Sequence, residues 1–545
     1  MRKADLILKS DAIFTGCGNT FPGIVAIKDN RIQYVGDACY LETYSGEKTT
    51  YIDCGRKLIL PGLQDAHVHF YMASFYNSPY ICIRTNQTSE EQCVAELAEQ
   101  AARIPKSKWL IGAGWYHNLW DDPVLPTKAS LDRAYPDRPV CMISADCHTM
   151  WFNSRGLKKA GLTKDSIPPE GGIYDRDECG ELTGTVHDAA AGALTHKVYE
   201  FAPEQENKAY KAFMETVNAY GITSVCDVSM MSVPGGDFIR DDIYGRLLEK
   251  DELTLRITMF PTLMEELTRP MELRDKFRDS MLTCTGVKQF FDGVSCCHTA
   301  FLTEPYTNAY FAGDCGMPVI PPEKMRAMVL KAHKNDFGIR IHTIGDRAIH
   351  LMLDYFEEAG KLYGKKPYLQ HTLEHLENIL KEDLPRLKEL SVQPSVQPPH
   401  LLIDPEGVYR DLGTERVQLM WAFRTMLDHG AKLAFGTDCP VSDINPFVSL
   451  YNAVTRRDAG TRLPKEGWHP KECVTIKEAV RAYTYGSACA AGRGHELGML
   501  APGMLADLIV LDHNILEEPP EMLLETKVEY TIVNGRLVYQ ANSYL

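Results

Sequence analysis

Two histidines one residue apart close an apolar stretch near the start of the chain. The segment LPGLQDAHVHF runs from Leu60 to Phe70 and contains His67, His69 and, before them, Asp65. Side chains alternate along a strand, so the two imidazoles and the carboxylate share one face. Converging neutral imidazoles form half of a metal site, and a pair of hydrogen-bonded polar histidines is the alternative interpretation.

Further candidate ligands end other apolar segments. His342 lies in IRIHTI, His375 ends YLQHTLEH, and Asp438 ends AKLAFGTD. Taken singly, each histidine is more often a satisfied polar residue, and Asp438 is also suited to cap the next helix. Together with the first pair they occupy corresponding ends of four predicted strands, which indicates one shared metal site.

Lys288 lies inside the apolar segment GVKQFFDG. A buried ammonium needs a partner or must lose its charge. A salt bridge to Asp292 or Asp438 is one way to meet that requirement.

The elements that must position these residues alternate strands with amphipathic helices, which is typical of a parallel α/β fold. Eight segments are predicted as strands, and eight strand–helix units favour a closed (β/α)8 TIM-type barrel over an open sheet. These segments are residues 58–70, 222–228, 255–260, 287–291, 339–344, 368–375, 390–396 and 432–438.

The two ends of the chain read as short strands and hairpins. We therefore expect a small β-sandwich built from residues 1–58 and 491–545, and a barrel over residues 59–490. The long gap after the first barrel strand predicts an insertion at about residues 80–200 that covers the catalytic face. Trp115, Tyr116 and Trp120 in this insertion either line an apolar pocket or, as is more common, form its own core.

Composition narrows the class of protein. The 545 residues carry a formal net charge of -15 with no long basic cluster, which argues against nucleic acid or an anionic membrane as partner and favours a small-molecule substrate. No apolar run reaches the length of a membrane span, and the N-terminus does not resemble a signal peptide. Sixteen scattered cysteines suit reduced thiols, so we expect a cytoplasmic protein, with a homodimer left open.

The motifs LPGLQDAHVH, GITSVCD, VKQFFDG, HTIGDRA, LEHLENI, VQPSVQPPHL, FGTDCPV and GMLAPGMLADLIVLD resemble the amidohydrolase superfamily, and more narrowly the branch with the N-substituted formamide deformylases. The similarity runs from about residue 4 to 540. It implies two divalent ions, zinc by default and manganese or iron as alternatives. In that pattern His67, His69 and Asp438 hold one ion and His342 and His375 the other, while Lys288, carboxylated by CO2, bridges them.

The resemblance also implies a reaction. Asp438 would take a proton from metal-bound water, and the resulting hydroxide would attack a non-peptide C–N bond, of an N-acyl or N-formyl amide. His148 and His400 are candidates for substrate binding, with a structural loop histidine as the alternative for each. Arg456 and Arg457 are expected on a solvated face rather than on a substrate carboxylate.

Three alternatives remain. A superfamily deaminase carries Glu three residues after the strand-5 histidine, where this chain has Gly345. A cyclic amide hydrolase would use the same ligands. A non-catalytic scaffold on the same barrel is disfavoured because every ligand position is filled.

Overall fold

The computed structural model describes residues 2–78, 81–85, 87–117, 120–145, 149–169, 172–230 and 237–541. The chain divides into two compact units, one of Met1–Phe70 with Met214–Leu545 and one of Tyr71–Phe213. The fold is mixed α/β. Within the described ranges, none of the helices has the length and apolar character needed to cross a bilayer.

The strands are numbered in chain order. The chain begins with β1 (Leu6–Ile13), β2 (Phe21–Lys28), β3 (Arg31–Gly36), β4 (Thr50–Asp53), β5 (Leu58–Pro61) and β6 (Leu63–Val68). The second unit contains β7 (Cys82–Arg84), β8 (Leu110–Trp115), β9 (Val140–Ser144), β10 (Thr149–Phe152), β11 (Gly172–Arg176) and β12 (Leu182–Asp188). The rest of the chain forms β13 (Ile222–Val228), β14 (Arg256–Phe260), β15 (Arg278–Asp279), β16 (Leu282–Cys284), β17 (Gly286–Phe290), β18 (Gly338–Thr343), β19 (His371–His375), β20 (Val392–Val396), β21 (Ala434–Phe435), β22 (Leu508–Leu511), β23 (Val528–Val533) and β24 (Arg536–Gln540).

The α-helices are numbered in the same way. They are α1 (Leu41–Tyr44), α2 (Phe70–Tyr76), α3 (Glu90–Glu96), α4 (Ala98–Arg103), α5 (Lys128–Ala134), α6 (Ser154–Lys159), α7 (Ala189–Val198), α8 (Pro203–Ala219), α9 (Asp241–Glu249), α10 (Thr268–Lys276), α11 (Pro322–Lys334), α12 (Asp346–Tyr363), α13 (Leu384–Glu389), α14 (Pro405–Arg416), α15 (Phe423–Asp428), α16 (Pro446–Thr455), α17 (Ile476–Arg481) and α18 (Ser487–Ala490). In α12, Ile349, Met352 and Phe356 recur at helical spacing and are buried, as expected for a helix packed along one stripe.

The first unit contains two five-stranded sheets, ordered β15-β16-β14-β13-β6 and β17-β18-β19-β20-β21. Apart from the short antiparallel β15, neighbouring strands in both sheets are parallel. Parallel bridges between Val68 and Cys439 and between Thr262 and Lys288 link one sheet to the other at both edges. Each of the eight segments predicted as barrel strands overlaps one of these parallel strands.

Strands from both ends of the chain lie in one further sheet, ordered β24-β23-β22-β5-β1-β2-β3, with β4 beside β1. In it β5 pairs parallel to β1 and antiparallel to β22. Only Gly62 separates β5 from β6, which carries His67. The paired termini therefore anchor the strand that leads into the candidate site.

The second unit has its own six-stranded sheet, ordered β11-β12-β10-β9-β8-β7. Trp115, Trp120 and Trp151 are buried together with Leu110 and Leu131 in a single apolar cluster of this unit. Trp115 and Trp120 thus follow the core interpretation rather than the pocket interpretation, because large aromatic rings bury much apolar area when they pack in a core.

Candidate metal centre

His67 and His69 are positioned at the carboxyl end of β6. His67 is fully buried and His69 is 9% exposed. The Nδ1 atom of His67 lies 2.5 Å from Oε2 of Glu374, and Nδ1 of His69 lies 3.1 Å from the carbonyl oxygen of Val228. A carboxylate and a carbonyl only accept, so a neutral ring carries its proton on Nδ1 and leaves Nε2 as a lone pair.

Both Nε2 atoms face the same carboxylate oxygen. Oδ1 of Asp438 lies 3.3 Å from Nε2 of His67 and 3.1 Å from Nε2 of His69. Among the described residues, Nε2 of His67 and Oδ1 of Asp438 are buried without a hydrogen-bond partner. Three acceptor atoms that face one another repel unless a cation lies between them.

A divalent metal fits this donor set. Ligand atoms about 2.0–2.1 Å from a tetrahedral zinc ion are about 3.3 Å from one another, which is close to the two separations of Oδ1 of Asp438 from the imidazole nitrogens. Imidazole and carboxylate ligands also suit zinc, manganese and iron. The orphaned acceptors are therefore explained by a metal ion between His67, His69 and Asp438.

A second group of potential ligands shares Asp438. Atoms of His375, His400 and Asp438 all lie within 4.8 Å of one another. The rings of His375 and His400 are nearly parallel, with centroids 5.8 Å apart, and Nε2 of His400 lies 3.7 Å from Oδ2 of Asp438. His400, a sequence candidate for substrate binding, is thus adjacent to the metal-type cluster.

His342 and Lys288 lie near this centre but outside both clusters. The ring of His342 is 4.4 Å from that of His375, and its Nε2 donates to the carbonyl of Gly293 at 3.2 Å, which leaves Nδ1 buried without a partner. Lys288 is fully buried, its Nζ has no hydrogen-bond partner in the described part of the chain, and that atom lies 4.3 Å from the ring centre of Phe290.

The salt bridge considered between Lys288 and Asp292 does not form. The Asp292 carboxylate instead accepts backbone N–H groups of Phe301, Ile344 and Gly345. No ion pair of Lys288 with Asp438 occurs within the described ranges either. Lys288 therefore ends inside the site as an unpaired amine.

Asp65 and Gly436 bring the last parallel strand to the first. Asp65 accepts from the backbone N–H of His67 and from the backbone and hydroxyl of Thr437. A Cβ on Gly436 would lie 2.6 Å from the backbone nitrogen of His67, so only glycine permits this approach. Asp65 and Gly436 thereby allow Asp438 to lie beside the two histidines.

Two site residues adopt left-handed backbone conformations. His375 has φ 66° and Asp438 has φ 59°. Such conformations cost free energy in residues other than glycine and concentrate at functional sites. The backbone thus supports a functional assignment for both residues.

Burial sets the protonation of the cluster. It lowers the pKa of His67 to about 4, so the ring is neutral near pH 7. Burial raises the pKa of Asp438, but His67 and His69 shift the net pKa well below its ordinary value, so the group is a carboxylate. Burial also lowers the pKa of Lys288 to about 8, against two nearby carboxylates.

The sequence interpretation missed Glu374 and Arg340. Glu374 contacts His67, and Arg340 contacts Glu374, and both are fully buried. Their signal was available as two charged residues inside apolar strand segments. Of the sequence candidates, His148 lies outside the described residues. Arg456, expected on a solvated face, is instead fully buried and donates to the carbonyls of Trp421 and Trp468.

Known proteins resemble this chain over most of its length. A family model described as the amidohydrolase family matches residues 50–539. Protein LONG AFTER FAR-RED 3 of Arabidopsis thaliana is 30% identical over 98% of this chain and 92% of its own length. The N-substituted formamide deformylase of Arthrobacter pascens is 25% identical over 98% of either chain. An uncharacterized metal-dependent hydrolase from Pyrococcus horikoshii OT3 has a TM-score of 0.76 at 25% identity, covering 94% of this chain and 99% of its own.

The resemblance found in the sequence is thereby confirmed. The matched region includes every strand that carries a candidate ligand, from β6 to β21. Because the family match extends over nine-tenths of the sequence, the chain belongs to the amidohydrolase family and is a hydrolase of carbon–nitrogen bonds.

Proposed function

We propose that this enzyme hydrolyses a non-peptide amide of the N-acyl or N-formyl type. The observation that carries the proposal is the convergence of His67, His69 and Asp438, in which Oδ1 of Asp438 lies 3.1–3.3 Å from the Nε2 atoms of the two histidines. The deformylase relative, which matches over almost its full length, supports the substrate class. A cyclic amide is the alternative substrate.

The proposed metal set combines the first cluster with the ligands that the family resemblance implies. His67, His69 and Asp438 would hold one ion, His342 and His375 would hold a second, and Lys288, carboxylated, would be a ligand to both. A pKa of about 8 leaves part of the Lys288 population as the neutral amine that CO2 requires. Zinc is the expected metal, with manganese or iron as alternatives.

Each residue then has a defined task. A divalent ion held by these residues would supply polarisation of the amide carbonyl and a lowered pKa of water. Asp438, a buried carboxylate, accepts the proton of that water and later returns it to the leaving nitrogen. His400 donates to the carbonyl oxygen of the substrate, and His148 is the second substrate-binding residue that the sequence suggests.

Gly345 disfavours the deaminase alternative. A deaminase of this superfamily needs Glu at this position, three residues after His342. A Cβ on Gly345 would lie 2.1 Å from the carbonyl oxygen of Phe301, a separation that excludes any side chain. The scaffold alternative is disfavoured by the retained acceptor cluster.

We also propose the finer architecture. The two parallel sheets close into one (β/α)8 barrel, an arrangement supported by the bridges at both edges. The terminal sheet folds over itself as a β-sandwich, because Val25 of β2 and Ile532 of β23 share one apolar cluster although their strands are far apart in the sheet. Cytoplasmic location and a homodimer remain predictions.

The test is a metal assay followed by a substrate screen. Protein prepared without chelator is analysed for zinc, manganese and iron, then assayed with N-formyl amines, N-acyl amino acids, lactams and carbamates. We expect close to two equivalents of metal and turnover of an N-acyl or N-formyl compound. Protein that binds no divalent metal, or that acts only on amino-substituted rings, would refute the proposal.

A further inference from the structure

Glu374 makes the shortest polar contact of the candidate centre. Its side chain is completely buried, as is that of His67, and Oε2 lies 2.5 Å from Nδ1 of the imidazole. The residue itself is not among the proposed metal ligands. Its carboxylate instead faces the side of the ring opposite to Asp438.

The second oxygen of Glu374 is held by Arg340. Nε of Arg340 donates to Oε1 at 2.7 Å, and the guanidinium is completely buried. Its Nη2 also donates to the carbonyl of Ala66, the residue before His67, at 2.5 Å, and to Oγ of Ser395 at 3.1 Å. Arg340 thus joins the backbone of β6 to strands β19 and β20.

A buried carboxylate and guanidinium are costly to desolvate, and a pair of apolar residues could fill the same volume. The pair nevertheless lies directly behind one proposed ligand. Histidines that bind metals commonly donate their other ring N–H to a carboxylate, which fixes the tautomer and the ring orientation.

We infer that Glu374, held by Arg340, is a positioning residue that keeps the proton of His67 on Nδ1 and its Nε2 lone pair directed at Asp438. The inference rests on the proposed function, because it requires a metal between these two residues. It adds to that function a chain of hydrogen bonds from Arg340 through Glu374 to His67, called the relay below.

The substitution Glu374→Gln tests the relay with almost no change of volume. Arg340 can only donate, so the amide oxygen turns toward it and the amide N–H2 turns toward His67. The imidazole must then accept at Nδ1 and carry its proton on Nε2. We expect the affinity of the metal-free protein for Zn2+, measured by chelator competition, to fall about 10- to 100-fold.

Two further variants separate positioning from packing. Glu374→Asp keeps the charge but loses a methylene, so a positioning role gives zinc affinity in the order wild type, Asp, Gln. If Glu374 only fills space, the Gln variant should bind zinc more tightly than the Asp variant. Asp507→Asn is the matched control, because Asp507 forms a similarly buried pair with Arg256 at 2.5 Å. We expect the Asp507→Asn control to lower thermal stability without lowering the affinity for zinc.

The outcomes are distinct. Wild-type protein that binds no Zn2+ defeats the proposed function. Wild-type binding that is matched by Glu374→Gln overturns the relay and leaves the proposed function intact. Should the Gln variant not fold, the Asp variant decides, because an unchanged zinc affinity in it also overturns the relay.

Discussion

Oδ1 of Asp438 and Nε2 of His69 lie 3.1 Å apart, although Asp438 follows the last parallel strand and His69 the first. The Nδ1 atom of His69 is already engaged with a carbonyl oxygen. With the ring proton on Nδ1, the Nε2 atom offers Asp438 a lone pair. This contact joins the two ends of the parallel strand order and defines the first proposed metal position.

Changing Asp438 to Asn should lower turnover while most of the metal stays bound. The amide keeps one oxygen ligand but cannot take a proton, so turnover should fall by about two to four orders of magnitude. Metal content should largely remain. Steady-state kinetics and elemental analysis measure the two effects. Asp383→Asn, a change at a buried carboxylate paired with Arg386, should leave turnover nearly unchanged.

Replacing Lys288 with Ala should lower the metal content below two equivalents. Loss of the amine removes the proposed bridging oxygen ligand, and added formate or acetate should partly restore turnover by occupying its position. Elemental analysis with and without the added acid measures this. Lys366→Ala removes a lysine bonded to the carbonyl of His333 and should not alter metal content. Full metal and normal turnover in Lys288→Ala would rule out the bridge.

The stability of the protein should depend on β22, the C-terminal strand at the middle of the terminal sheet. Leu508 in β22 is fully buried beside β5, so Leu508→Ala should destabilise the protein by about 2–5 kcal/mol. Leu537→Ala in β24, where the side chain is 44% exposed, should change stability by no more than about 0.5 kcal/mol. Thermal unfolding compares the two. Deleting the last 40 or so residues should give insoluble protein, because the apolar face beside β5 becomes exposed.

Acid should destabilise the fold through a histidine pair. Nε2 of His371 lies 2.8 Å from Nδ1 of His333, and burial lowers the pKa of His371 to about 3. The unfolded histidine titrates near about 6.5, so stability present above that pH is lost as the pH falls toward 3. The His371→Gln variant should not show this acid-dependent loss of stability.

The measurable quantity is the stability difference between wild type and His371→Gln. It should shrink by up to about 1.4 kcal/mol for each pH unit below 6.5. Thermal unfolding at pH 7, 6 and 5 follows it, with the exposed His429→Gln as control. A difference that is constant with pH would show that His371 does not carry the effect.

Local pattern was enough to predict much of this protein. Eight of the nine parallel strands, and the ends on which His67, His342 and Asp438 lie, follow from alternation and from apolar segments of strand length. Packing of the two chain ends together was also expected, as a small β-sandwich, since short terminal strands cannot remain unpaired, and strands from both ends do share a sheet. The order of the sequence motifs along the chain was enough to predict membership of the amidohydrolase family.

Other features arise only when distant strands meet. Nothing near Glu374 in the sequence indicates that its carboxylate contacts His67, because that contact depends on how strands β6 and β19 face each other. The same holds for Lys288, whose nearest acid in sequence, Asp292, is occupied by backbone N–H groups from other segments.

The chain by itself therefore determined which residue types stand at the strand ends, and so the class of chemistry. Tertiary structure alone decided which nitrogen of each histidine is free. That choice is made by a hydrogen-bond acceptor on another strand, Glu374 for His67 and Val228 for His69. Ring tautomers respond to atoms within about 3 Å, and only the packed fold brings those atoms together.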